Sequence, residues 1–324
     1  MGASIGSLAP VAVAEEAKEV NFGIISTEST QNLKSTWDPF LEAMTEDTGL
    51  KINAFFAPDY AGIIEGMRFD KVQVAWFGNK SAMEAVDRAD GEVFAQTVDV
   101  DGNPGYWSLL ITHVDSKLGS VEDVLACNKD LDFGIGDPNS TSGFLVPTTF
   151  IFAANEVNPS DCFKTVRNAN HETNAMAVAN KQVHVAANNT ENIRRLEETN
   201  PEAYAQIKEI WRSPLIPSDP LVWRKDLDQD VKDKVYTFIM TYGRNGSIEE
   251  VAAARQVLSG LQWAPFRPSD NSQLYPIRQM QLNKELAKVL ADDRLGESEK
   301  EEQISKLKTQ IDKVAQLAED LPRK

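Results

Sequence analysis

Two cysteines and three histidines in 324 residues leave too few ligands for a zinc cage or an iron–sulfur cluster. No stretch approaches the roughly 18 consecutive apolar residues of a membrane-spanning helix. Basic side chains are also in short supply: 33 Lys and Arg stand against 49 Asp and Glu, a formal net charge of -16. That deficit argues against nucleic acid as a partner, because non-specific binding needs a cationic surface to displace phosphate counterions. The G-x-x-x-x-G-K-[ST] loop of nucleotide triphosphatases is absent. What remains is ordinary globular composition, 42% hydrophobic and 25% charged, in a chain long enough for two domains of about 150 residues each.

The first twenty residues are small and weakly apolar, and Ala12-Val13-Ala14 ahead of Glu15-Glu16 matches an A-x-A cleavage site. A charged start and a longer apolar run are missing, so residues 1–20 read as the residual tail of a secretory signal. An unstructured terminus containing A-x-A by chance is the alternative. Cys127 and Cys162 could form one disulfide in an oxidising compartment, worth roughly 3–4 kcal/mol in the chain-entropy model. Two free buried thiols are equally compatible with the sequence.

From Val20 onward, short β-type runs alternate with amphipathic stretches. Asn21–Ser26, Leu50–Phe56, Val72–Phe77 and Val93–Val98 read as strands. Thr30–Asp47, with Leu33, Trp37, Phe40, Leu41 and Met44 on one face, reads as a helix, as do Tyr60–Phe69 and Ser81–Arg88. This alternation indicates βαβ units and a parallel sheet. A β-rich stretch, Tyr106–Val114, then precedes a second series: strands Leu131–Gly136, Thr165–Asn168 and Val183–Ala187 with helices Ser142–Asn155, Thr173–Asn180 and Glu191–Glu198. A second crossing, Asp219–Arg224, follows the Pro214–Pro217 turn. Two α/β lobes joined by two extended crossings is the layout of a hinged binding protein. Lobe 1 is expected from 21–112 and 223–266, lobe 2 from 113–222, and helices packed on the lobes from 267–324. The last helix, Ser298–Leu321, carries Ile304, Leu307, Ile311, Val314 and Leu321 at near-heptad spacing. Such a stripe packs on its own domain or pairs two copies of the chain into a homodimer.

The richest stretch is Gly136-Asp137-Pro138-Asn139-Ser140-Thr141-Ser142-Gly143, at the carboxyl end of an expected strand and the start of an apolar helix. Open α/β sheets bind ligands at such places. Adjacent hydroxyls there suit a tetrahedral oxyanion held by hydrogen bonds rather than by lysines. The plainer alternative is one N-cap and a polar loop. His171 lies just past another expected strand and could donate to the same anion. Asn188-Asn189-Thr190-Glu191-Asn192 and Ser218-Asp219-Pro220 mark two further strand ends. No metal-ligand cluster and no nucleophile–base–orienter set is legible, so a binding protein without cofactors is expected rather than an enzyme.

The runs NFGIISTEST, NAFFAPDYAGIIEGMRF, AMEAVDRA, PGYWSLLI, GDPNSTSGFLVP, HETNAMAVANKQV, NNTEN, SPLIP and QWAPF resemble the periplasmic phosphonate-binding proteins of ABC importers, in particular those for 2-aminoethylphosphonate. The resemblance runs from Asn21 into the C-terminal helices. It implies a type II two-lobed solute-binding fold, a periplasmic location, and delivery of a phosphonate to ABC permease subunits. Carried over by position, Ser140, Thr141, Ser142 and His171 would hold the phosphonate, and Tyr60 would close over it. Glu191 and Asp219 would take an ammonium, with Tyr106 beside them. Trp76-Phe77 stands where the resemblance leads one to expect Trp-Tyr, which implies one cleft hydroxyl fewer. The alternatives within the same fold are phosphite, methylphosphonate or phosphate as cargo, or a sensing rather than a transport role.

Overall fold

The structure, a computed structural model, describes residues 17–321. Most of the expected signal remnant therefore lies outside the described residues. Strand β1 (Glu19–Ile24) alternates inward from Val20 to Phe22 and Ile24, all fully buried. The helix Thr30–Thr48 starts where the Ser29 side chain accepts from the Asn32 N–H and ends at Gly49, at φ 67°. Its buried face carries Leu33, Trp37, Phe40, Leu41 and Met44, as the 3.6-residue period predicts.

Strands β2 (Lys51–Phe56), β3 (Val74–Trp76) and β4 (Gly91–Asp99) continue this lobe, β5 (Gly105–Tyr106) leaves it, and β6 (Ser108–His113) opens the next. The second lobe continues with β7 (Asp132–Ile135), β8 (Thr165–Asn168), β9 (Val185–Asn189) and β10 (Ile207–Arg212). Strand β11 (Ile216–Pro217) leads back, and β12 (Pro220–Arg224) and β13 (Trp263–Pro268) complete the first sheet. The strand orders are β13-β4-β12-β3-β1-β2 and β10-β6-β9-β7-β8, with β11-β5 as a separate ribbon. Both lobes are α/β, but each sheet is mixed rather than wholly parallel. β1 runs parallel to β2 and β3, and β7 to β8 and β9. Strands next to a crossing, β6 and β12, pair antiparallel because the chain reverses as it changes lobe.

The crossings lie closer to the ribbon than expected. Residues 108–112, assigned to the first lobe, pair in the second sheet through β6, and residues 220–222 pair in the first through β12. The β-rich stretch Tyr106–Val114 is interrupted at Trp107, between β5 and β6. On its near side β5 pairs with β11, Tyr106 opposite Ile216. Glycine is required in this ribbon, since a Cβ on Gly105 would stand 1.9 Å from the Ile216 carbonyl oxygen. The QWAPF segment enters an edge strand, β13, whose register shifts between Ala264 and Arg267. Such a shift lets Pro265 sit in a sheet edge.

Cys127 and Cys162 are joined by a disulfide, which settles the alternative the sequence left open. The helix Tyr275–Leu290 touches both lobes, through an Arg278–Asp87 ion pair on one side and Lys284 over the Phe144 ring on the other. The helix Glu297–Glu319 packs on it and buries Leu307 and Val314. The heptad stripe is thus used within the chain at those two positions, and the alternative of pairing two copies gains no support from it. Among the described residues no helix is long and apolar enough to cross a membrane.

Candidate functional site

Tyr60, Tyr106, Ser140, Thr141, Ser142, His171, Glu191 and Asp219 all line one cavity of about 50 Å³, which lies between residues of the two lobes. That volume suits a ligand of a few heavy atoms and is far too small for a nucleotide.

One end is built from hydroxyls. After β7 the chain turns at Gly136, whose N–H donates to the Gly143 carbonyl at 2.8 Å. A Cβ on Gly136 would lie 2.6 Å from the Gly143 Cα, so only glycine lets the loop fold over the following helical start. The expected helix over Ser142–Asn155 begins at Thr141 and is wound in wide π turns at Thr141–Leu145 and Thr148–Phe152. Ser140 caps it, its Oγ accepting from the Gly143 N–H at 3.0 Å. Thr141 Oγ1 accepts from the Lys80 N–H of the other lobe at 2.8 Å, and Ser142 Oγ accepts from Asn189 Nδ2 at 3.1 Å. His171 opens the helix His171–Ala179 rather than preceding it. Its ring is buried, with Nε2 at 3.4 Å from both Ser142 Oγ and Asn189 Nδ2. Burial lowers the imidazole pKa to about 4, so at neutral pH the ring is uncharged. Tyr60 begins the helix Tyr60–Arg68, and its hydroxyl pKa is raised by burial and then by Asp137 and Asp219.

The other end is acidic. Asp219, just ahead of β12, accepts from the Tyr106 hydroxyl at 3.0 Å. Its carboxyl pKa is raised well above the usual value, first by burial and then by Glu191. Glu191, in the first turn of the helix Thr190–Thr199, is half-buried along the cavity. Burial raises it to about 7, against the opposing pull of Arg195 and Arg194. Glu191 thus disfavours ionisation of Asp219, and both acids share the cavity with uncharged donors and with Arg195. The two ends are close: Thr141 Oγ1 and Asp219 Oδ1 both lie within 4 Å of where a Cβ on Gly78 would stand.

Trp37, Trp76 and Trp263 also line the cavity, with mutual ring-centroid distances of 5.4, 5.3 and 5.7 Å. Phe77 is buried in the first lobe's core and is not part of the cavity lining. The missing hydroxyl expected there is therefore not a loss to the cavity. Asn189, Asn192, Glu28 and Arg195 line it as well but were not singled out. The Asn-rich run 188–192 was a visible signal for the first two. Nothing local marked Glu28, which pairs with Arg195 at 2.7 Å across the lobes.

Further bonds close the cleft. Glu172, beside His171, accepts from the Ser29 N–H at 2.6 Å and from Asn32 Nδ2 at 2.7 Å. The Tyr60 N–H donates to Asp137 Oδ2 at 3.3 Å. Among the described residues no group of side chains is arranged to hold a metal ion.

A family described as "ABC transporter, phosphonate, periplasmic substrate-binding protein" matches residues 22–274. The chain belongs to this family. The phosphonate-binding component of such a transporter captures its ligand in the periplasm, and its membrane partners are the transporter's own subunits. The chain is 56% identical over 310 residues to the "Phosphonates-binding periplasmic protein" of Escherichia coli K12, covering 96% of this chain and 90% of that protein. It also resembles a crystal structure of the binding-protein component of a Pseudomonas aeruginosa ABC phosphonate transporter. There the TM-score is 0.90 with 55% identity, over 94% of this chain and 99% of the other. A Prochlorococcus marinus binding protein solved with methylphosphonate shares the fold, with TM-score 0.72 and 20% identity, over 82% of this chain and 99% of the other.

Proposed function

We propose that this phosphonate-binding protein takes 2-aminoethylphosphonate or a similarly small amine-bearing phosphonate, holds it by lobe closure, and presents the closed form to the permease. It is a carrier and performs no chemistry on the ligand. In this reading Ser140, Thr141, Ser142, Tyr60 and His171 donate to the phosphonate oxygens. Glu191 and Asp219 flank the ammonium, and Tyr106 braces Asp219 from the hinge ribbon.

The observation that carries the amine is the buried acid pair in so small a cavity. At an effective dielectric near 20, a carboxylate roughly 5–6 Å from a phosphonate repels each of its charges by about 3 kcal/mol. An ammonium between the acids reverses the sign. Phosphate, phosphite and methylphosphonate bring no such cation. Closure follows from the same placement, since Tyr60 comes from one lobe and Ser140–Ser142 from the other. A ligand that bridges them favours the closed form by its differential affinity.

Calorimetry with 2-aminoethylphosphonate, ethylphosphonate and phosphate tests the reading. The aminated ligand is expected to bind at least about 100-fold more tightly, the equivalent of roughly 3 kcal/mol. Equal affinities would refute it.

A further inference from the structure

Among the described residues, the partners of the Arg195 side chain come from the opposite lobe. Arg195 lies in the helix Thr190–Thr199, which follows β9 of the second sheet. Its guanidinium pairs at 2.7 Å with Glu28, just past β1. It also donates to the carbonyls of Gly260 and Leu261, just ahead of β13, at 3.4 and 3.5 Å. Its neighbour Arg194 holds Asp99 and Asp101 of the same first lobe at 2.7 and 2.9 Å. Opening the cleft parts both arginines from these partners. Glu191 stands one helical turn before Arg195, in the order that favours an ion pair between an acid and a base on one helix. Glu198, on the other side, is exposed and stands in the weaker order. Glu191, Arg195 and Glu28 all line the cavity, and of the charges acting on the Glu191 carboxyl that of Arg195 is the strongest.

We propose that Glu28 is a positioning residue for ligand choice: as the lobes close it draws Arg195 off Glu191, and so frees that carboxylate for the ligand's ammonium. This rests on the proposed function and adds to it the step that makes the amine readable only in the closed cleft. With the cleft open, Arg195 falls back on Glu191 one turn away, and the acid is neutralised from within its own helix. With the cleft closed, the guanidinium is spent on Glu28, which is buried and supplies the countercharge. The ammonium then meets Glu191 without a competitor. An anionic ligand that lacks an amine meets no free guanidinium, because Arg194 is held by Asp99 and Asp101 at the same moment. Glu28 thus favours aminated ligands and disfavours unaminated ones through a single ion pair.

Calorimetry of the full chain and its Glu28→Gln variant, with 2-aminoethylphosphonate and with ethylphosphonate, reads the exchange as a ratio of two affinities. Loss of a lobe contact alone weakens both ligands and leaves that ratio in place. In Glu28→Gln the aminated ligand is expected to lose at least about tenfold more than ethylphosphonate, because Arg195 stays on Glu191. The double variant Glu28→Gln/Arg195→Gln has no guanidinium left to occupy Glu191, and should return the ratio to within about threefold of the parent's, as coupled positions do in a double-mutant cycle. Equal losses in Glu28→Gln, or a ratio that stays low in the double variant, would overturn this inference and leave the proposed function standing. A parent protein that binds both ligands equally would instead overturn the proposed function, and this inference with it.

Discussion

Replacing Asp219 with Asn, or Glu191 with Gln, should separate aminated from unaminated phosphonates. In the empty cavity Glu191 is raised from 4.5 to about 7, and at about 1.4 kcal/mol per pH unit its ionised form is disfavoured by roughly 3 kcal/mol. A bound ammonium removes most of that penalty, because it supplies the opposite charge that burial took away. Truncating one partner of a buried charge pair costs about 2–5 kcal/mol. Asp219→Asn should therefore weaken 2-aminoethylphosphonate by between about 30-fold and several thousandfold. For ethylphosphonate the same change removes no attractive partner, because without an ammonium nothing offsets the raised Asp219 pKa, so its affinity should hold or rise. Titration calorimetry of both ligands at pH 7.5, on both variants, gives the comparison. Equal losses for the two ligands would show that the acids do not face the amine.

The same groups set how the ligand-free protein responds to pH. Glu191 keeps its proton up to about pH 7 when folded, against 4.5 as an ordinary carboxyl. The stability it contributes is present below 4.5 and lost as pH rises through about 7, about 3 kcal/mol in total. Glu191→Gln should then melt higher than the parent at pH 8 and no higher near pH 4.5, a pattern calorimetric melting can contradict. His171 has the opposite slope: its pKa falls from 6.5 to about 4, so stability present above 6.5 is lost as pH falls through about 4, and His171→Asn should flatten that acid limb. Reducing the Cys127–Cys162 disulfide, whose partners are separated by 35 residues, should cost about 4 kcal/mol of unfolding free energy in the chain-entropy model. Denaturation with and without reductant checks this, and coincident midpoints would refute it. Thr141→Val removes both a head donor and the acceptor of the Lys80 N–H. It should weaken aminated and unaminated phosphonates alike, by about 1–3 kcal/mol, and unequal losses would place Thr141 nearer the amine.

Much of the site was legible because its residues sit where local rules place ligands, at strand ends and helix starts. Ser140–Ser142 follow β7, Glu191 follows β9, and Asp219 precedes β12. What stayed hidden was set by contacts between distant segments. The Glu28–Arg195 pair and the Ser29–Glu172 bond join residues far apart in sequence, and no local pattern announces them. The lobe boundaries were misplaced for a related reason. Tyr106–Val114 is continuously β-rich, and only pairing of Tyr106 with Ile216 and of Ser108 with Asn189 divides it between hinge and sheet. Likewise Trp37 reads as a core residue from its helical period, and only folding brings it and Trp263 to the cavity wall.

A crystal structure of the complex with 2-aminoethylphosphonate tests the central claim most directly. The account predicts phosphorus beside Ser140, Thr141 and Ser142, and nitrogen within hydrogen-bond reach of both Glu191 and Asp219. A ligand bound in the reverse orientation, or a nitrogen in contact with neither acid, would contradict it.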